Sequence, residues 1–274
     1  MKIRKRLFSM LSLFILSLTS ALTASAQSRS LVLYYSQTST TRTVAEELQR
    51  LTGADIESFD ITEPYDGDYK QTIDRCKDEM SRDYTPTLVP LKSDLAKYDT
   101  LYVGFPVWFG TYAPPVKALL QTVCLDGKTI VPFCTFGSGG LSESVSHLRT
   151  ALPGARVLDG FGIRQARISK VARELPRYLT SIGVLPGNVP ALPDFTAQKK
   201  PMKAEKQLFE EACGSYPMPL GKPETVGHRQ TEDGTEYLFT VKMTRPDGQT
   251  MKAKIYVLDP SAPEEKAEFT LVVR

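Results

Sequence analysis

Six of the eight residues from Ser36 to Thr43 carry hydroxyls, and none is acidic. They lie inside LVLYYSQTSTTRTVAEEL, residues 31–48, which opens as an apolar run suited to a buried strand and closes with helical spacing. A strand-to-helix junction exposes unpaired backbone N–H groups and the positive end of the helix dipole. Donors from Ser36, Thr38, Ser39, Thr40 and Thr41, with Gln37 among them, can hold a phosphate there without lysine or arginine. Thr40 or Thr41 can also cap the helix. Caps and turns alone would account for one hydroxyl, not five. The loop has no glycine, so it is neither a dinucleotide fingerprint nor a P-loop.

Two further stretches have the composition of ligand loops. Pro106-Val107-Trp108-Phe109-Gly110 holds the chain's single tryptophan, and its flat ring can cover a planar ligand or simply roof the core. In Thr135-Phe136-Gly137-Ser138-Gly139-Gly140 the glycines let backbone N–H groups approach a ligand closely. The same loop also reads as a flexible connector with a helix cap.

The elements that must position these loops alternate. Strands are expected over 31–35, 55–59, 100–105, 129–134 and 155–158, with helices over 41–52, 68–82, 114–123, 141–151 and 167–182. The strand segments LVLYY, TLYVGF and TIVPFC are near-continuous apolar runs, as in strands buried on both faces. Alternation of this kind predicts a parallel sheet covered by helices on both sides. All three loops then follow strands at the carboxyl edge, where ligands bind in such sheets.

The hydroxyl loop, Ser36-Gln37-Thr38-Ser39-Thr40-Thr41, resembles the flavodoxin pattern Ser/Thr-x-Thr-Gly-x-Thr, with Ser39 in the glycine position. The segment KYDTLYVGFPVWFGTYAPPVKALLQTVCLDGKTIVPFCTFGSGG is similar to a flavodoxin subgroup with Pro-x-Trp-Trp/Phe-Gly after the third strand. EPYDGDYKQTIDRCKDEMSRDYTP and GARVLDGFGIR are similar as well, so the likeness spans roughly residues 30–183. It implies a doubly wound, five-stranded parallel sheet of order 2-1-3-4-5. It also implies FMN, with phosphate at Ser36–Thr41, ring stacking at Pro106–Gly110 through Trp108, and the ring's polar edge at Phe136, Gly137, Ser138 and Gly139. Redox chemistry would then belong to the flavin, tuned by the protein. A serine at a position needing positive φ would add strain.

Residues 1–26 read as a secretory leader: Lys2, Arg4, Lys5 and Arg6, an apolar run from Leu7 to Leu18, and a small-residue site at Ala24-Ser25-Ala26. The mature protein is expected in the periplasm or outside the cell, with no membrane span once the leader is cut. Its balance is 34 − 4 = 30 basic against 31 acidic residues, or −1. There is no basic stripe for nucleic acid. Cys76, Cys124, Cys134 and Cys213 show no ligand spacing, and the apolar settings of Cys124 and Cys134 predict core thiols. His147 reads as a surface or packing residue, and His228 has no evident partner.

Residues 27–184 therefore form the expected FMN-binding domain. VLPGNVPALPDFTAQKKP, residues 184–201, reads as a linker, which sets 185–202 between the two domains, and the grammar changes beyond it. A helix, MKAEKQLFEEAC, precedes ETVGHRQ, TEYLFTVKMTR, QTMKAKIYVLD and AEFTLVVR, with EDGT and PDGQ as hairpin turns. Residues 203–274 should be a small α+β domain, a helix and an antiparallel meander in the order that resembles cystatin-like folds.

The functional expectation is an exported electron carrier or FMN-dependent oxidoreductase, serving a redox partner protein or a quinone-like acceptor. The alternative is a flavodoxin fold without cofactor that acts as a binding module.

Overall fold

In the computed structural model, residues 29–244 and 248–273 are described. The expected leader and Pro246-Asp247 of the PDGQ turn lie outside the described residues. Leu31 and Leu33 of β1 (Ser30–Tyr34) face one layer of helices, while Val32 and Tyr34 face the other. That period of two along a strand apolar at every position places it in the middle of the sheet.

β1 runs parallel to β2 (Asp55–Ser58) on one side and β3 (Thr100–Trp108) on the other. Beyond β3, which makes a short hairpin with β4 (Thr111–Tyr112), lies parallel β5 (Thr129–Phe136). The fifth position is filled by two pieces. β6 (Arg156–Val157) pairs with the start of β5, and β7 (Phe161–Arg164) pairs with its end. The order β2-β1-β3-β5-β6 is the 2-1-3-4-5 arrangement expected, with the last strand broken at Leu158–Gly160.

α1 (Thr40–Thr52) and α5 (Val171–Ser181) cover one face through Val44, Ala45, Leu48, Leu175 and Leu179. α2 (Tyr69–Ser81), α3 (Pro114–Thr122) and α4 (Leu141–Ala151) cover the other through Cys76, Val116, Leu119 and Leu148. The starts of α2 and α3 follow from local chemistry. Asp68 and Gln71 form a reciprocal capping box on α2, and Pro114 opens α3 where no N–H is needed.

The tail folds as α6 (Lys203–Cys213) over a meander, β11-β10-β9-β8, comprising β8 (Lys222–Thr231), β9 (Gly234–Thr244), β10 (Thr250–Pro260) and β11 (Glu268–Val273). Phe209 of α6 meets Phe239 of β9 edge to face at 5.0 Å. The end of the expected linker is paired with β8. Thr196 and Lys199 donate to the His228 and Val226 carbonyls and extend the sheet past β8. The His228 ring packs on Tyr237, which gives it the partner the sequence did not show.

Charge joins the two units. Arg167, Lys170, Arg173 and Arg177 line one face of the 165–181 helical stretch and meet Glu268, Glu265, Asp233 and, again from Arg177, Glu232 of the tail. A crevice of about 880 Å³ opens between α5, residues 188–193 and the tail, and reaches Phe136 at one end. Cys124 departs from expectation. It is exposed in the turn after α3, because that helix ends at Thr122 before the cysteine can face the core.

Candidate functional site at the carboxyl edge

The hydroxyl loop is held from both ends. Thr41 is 1% exposed, and its hydroxyl lies 2.8 Å from that of Thr135 at the end of β5. The Ser36 hydroxyl accepts from the Arg42 N–H at 3.2 Å. Gln37 turns sideways and donates to the Tyr65 carbonyl at 2.9 Å and to Thr72 at 3.1 Å. At the mouth stand the hydroxyls of Thr38 and Thr40, 3.3 Å apart at the start of α1, and that of exposed Ser39. Ser36, Gln37 and Thr41 thus also build the loop that they were expected to line.

Neither Thr40 nor Thr41 caps α1. Ser39 takes the N-cap with φ 64° and ψ −6°, and its side chain makes no capping bond. This left-handed geometry is the one glycine enters freely and serine enters at a cost of about 1–2 kcal/mol. The glycine-to-serine departure is therefore a strained backbone whose own side chain caps nothing, and the Arg42 N–H of the first turn is taken by Ser36 instead.

The second stretch is not a loose loop. Pro106, Val107 and Trp108 continue β3, and Trp108 pairs with Thr111 of β4. Only Phe109 and Gly110 form the turn, with φ of 50° and 85°. Two consecutive positive φ values make a type I′ hairpin turn, which normally selects Asn-Gly. A phenylalanine in that first position is an outlier, and its ring is 49% exposed at the tip. Trp108 is half-buried, with its ring perpendicular to Tyr65 at 5.0 Å and to Tyr35 at 6.1 Å. Both phenols are pushed well above their ordinary range, chiefly by burial, so they remain neutral donors. Tyr65 donates to Glu79 and carries the Arg75 guanidinium over its ring at 4.2 Å.

The third stretch begins in β5 with Phe136 and turns at Gly137-Ser138-Gly139-Gly140 into α4. Gly140, with φ 110°, abuts Val107 and Gly110, so the second and third stretches touch. A side chain there would drive into the hairpin. Together with the Thr41–Thr135 bond, these contacts place all three stretches side by side at the carboxyl edge of β1, β3 and β5.

The outer side of the glycine turn faces the tail. The Val272 N–H donates to the Ser138 carbonyl at 2.7 Å, and a Cβ on Gly139 would collide with the Val272 carbonyl. Arg164, 8% exposed at the end of β7, donates to the Gly137 carbonyl at 2.9 Å and the Phe269 carbonyl at 2.7 Å. Its guanidinium lies over the Phe269 ring at 3.4 Å. Burial pulls the Arg164 pKa below its ordinary value, with Glu268 opposing that pull. Tyr35, Tyr65 and Arg164 were not marked as site residues by the sequence. The two tyrosines carry no signal of their own, whereas Arg164 is a cation ending an apolar strand beside the glycine turn.

The sequence profile of the Flavodoxin family matches residues 29–175. The chain belongs to the flavodoxin family. Among solved structures, a protein assigned as a flavoprotein from Bacteroides uniformis is 28% identical over 54% of this chain and 98% of its own, with a TM-score of 0.49. A similar assignment from Bacteroides eggerthii is 26% identical over 57% of this chain and 98% of its own, at a TM-score of 0.48. A flavoprotein in complex with FMN from Lactobacillus acidophilus is 25% identical, covering 53% and 99%, at 0.44. No curated protein matches the chain. In this flavodoxin the hydroxyl pair, the tryptophan hairpin and the glycine turn occupy one sheet edge, and among the described residues no helix is long and apolar enough to cross a membrane.

Proposed function

We propose that the chain binds FMN at this edge and transfers electrons outside the cytoplasm, as a carrier or an FMN-dependent oxidoreductase. The observation that carries the reading is the convergence of three chemically distinct surfaces in a flavodoxin. The start of α1 with Thr38 and Thr40 suits a phosphate, since hydroxyl and backbone donors there need no cation. The indole of Trp108 suits a planar ring. Backbone N–H groups of the glycine turn suit the ring's polar edge. Bound FMN would supply one- and two-electron chemistry. The protein's part is to orient the ring, limit its contact with water and set its potential. Trp108 and the buried tyrosines make the surroundings apolar, which disfavours a negatively charged reduced ring and lowers the potential of that step.

The exposed Phe109 favours the carrier form. A strained aromatic held out beside the site is a contact surface for a redox partner protein rather than part of the core. The leader expected over residues 1–26 supports a periplasmic or secreted setting.

A comparison of FMN with riboflavin tests the phosphate assignment. FMN should bind at least about a hundredfold more tightly, as expected for two or more charge-assisted hydrogen bonds. Equal affinities would remove Ser36–Thr41 from the site.

A further inference from the structure

Peptide planarity turns the tail contacts into a statement about the site. In a trans peptide the C=O of one residue and the N–H of the next point in opposite directions. The Ser138 carbonyl is fixed toward β11 by Val272, so the Gly139 N–H is aimed away from the tail. The Gly137 carbonyl is likewise fixed by Arg164, which aims the following N–H away from the guanidinium. Two successive peptides of the glycine turn therefore take their orientation from groups outside the turn. Glycines alone would not hold it, because they rotate more freely than any other residue.

The arrangement is built from both sides. Val272 turns its N–H and C=O toward the turn, so the open edge of β11 is spent on this contact instead of on solvent. Arg164 bridges the turn to Phe269 on the same strand, and the Tyr216 hydroxyl lies 3.3 Å from where a Cβ on Gly137 would stand. The ion pairs of Arg167 with Glu268 and Lys170 with Glu265 clamp the start of that strand and the turn before it.

We propose that the carboxyl-terminal domain is part of the flavin site: Val272 and Arg164 act as positioning residues that lock the glycine turn with its N–H groups presented to the ring. This rests on the FMN reading above. It gives the tail a role in cofactor affinity and potential, beyond any recognition function of its own.

The test uses the full chain, with FMN affinity and the midpoint potential of bound flavin as readouts. Val272→Pro removes the N–H that bonds the Ser138 carbonyl from the edge strand β11. Val273→Ala, at the next residue of the same strand, is the control that alters packing and leaves the Val272 N–H in place. Arg164→Lys keeps the charge but loses the planar fork whose separate Nε and Nη1 donors reach the Gly137 and Phe269 carbonyls. The proline and lysine variants should bind FMN about tenfold more weakly, as expected for losing one oriented hydrogen bond, with a shifted potential. Val273→Ala should behave as wild type. Folded proline and lysine variants with wild-type affinity and potential would overturn the proposal, as would an alanine variant as impaired as the proline one. If Val272→Pro does not fold, Arg164→Lys decides. A wild-type chain that takes up no FMN fails in a separate arm and overturns the underlying reading too.

Discussion

Thr41 and Thr135, 94 residues apart in sequence, share a buried hydroxyl–hydroxyl bond of 2.8 Å that ties the first turn of α1 to the end of β5. Removing one partner strands the other in a site that water does not reach. Thr135→Val should therefore destabilise the protein by about 1–3 kcal/mol, while Thr41→Val combined with Thr135→Val should restore much of the loss. Urea unfolding of the two single variants and the pair forms the cycle that checks it.

Two residues pay a backbone cost at the candidate site, Ser39 and Phe109. Ser39→Gly and Phe109→Asn should each raise stability by about 1 kcal/mol, worth roughly 2–4 °C in Tm for a chain of this size. Phe109→Asn should also slow electron exchange with a partner protein while leaving FMN bound. Thermal melts and reduction kinetics separate the two effects.

The rungs of the interdomain ladder should not be equal. Arg167 is almost wholly buried between Glu268 and Glu174, so Arg167→Ala leaves two carboxylates without their cation and should cost about 3 kcal/mol. The Arg177–Glu232 pair is largely exposed, and Glu232→Gln should cost less than about 1 kcal/mol. Denaturant midpoints with unchanged slopes would give both values.

Thiol chemistry should single out Cys124. Burial pushes the Cys76 thiol up to about 11 and Cys213 to about 12, and Cys134 is wholly enclosed. Native protein should react with one equivalent of a thiol-specific disulfide reagent, and unfolded protein with four. Cys124→Ser should abolish the native reaction.

Much of the sheet was legible because its strands are apolar on both faces. Leu31–Tyr34 and Thr129–Cys134 could be read as buried before any topology was known. The second half of the broken strand was harder: Phe161–Arg164 is four residues with a glycine inside, too short to show a period. The Phe109-Gly110 turn was hidden because turn composition points to Asn or Asp, and phenylalanine carries no such signal. Residue types located the three edge stretches but not which hydroxyls face outward. Thr41 and Gln37 are turned inward by partners as distant as Thr135 and Thr72. The tail's docking was written only as a spacing of cations at 167, 170, 173 and 177, and that pattern has meaning only once the acids of the tail are placed opposite.

Titration of the full chain with FMN, followed by flavin absorbance and by the fluorescence of the single tryptophan, tests the central claim most directly. Uptake of one FMN per chain with quenching of Trp108, and much weaker binding by Trp108→Ala, is the predicted result. A folded chain that takes up no FMN and leaves Trp108 emission unchanged would contradict it.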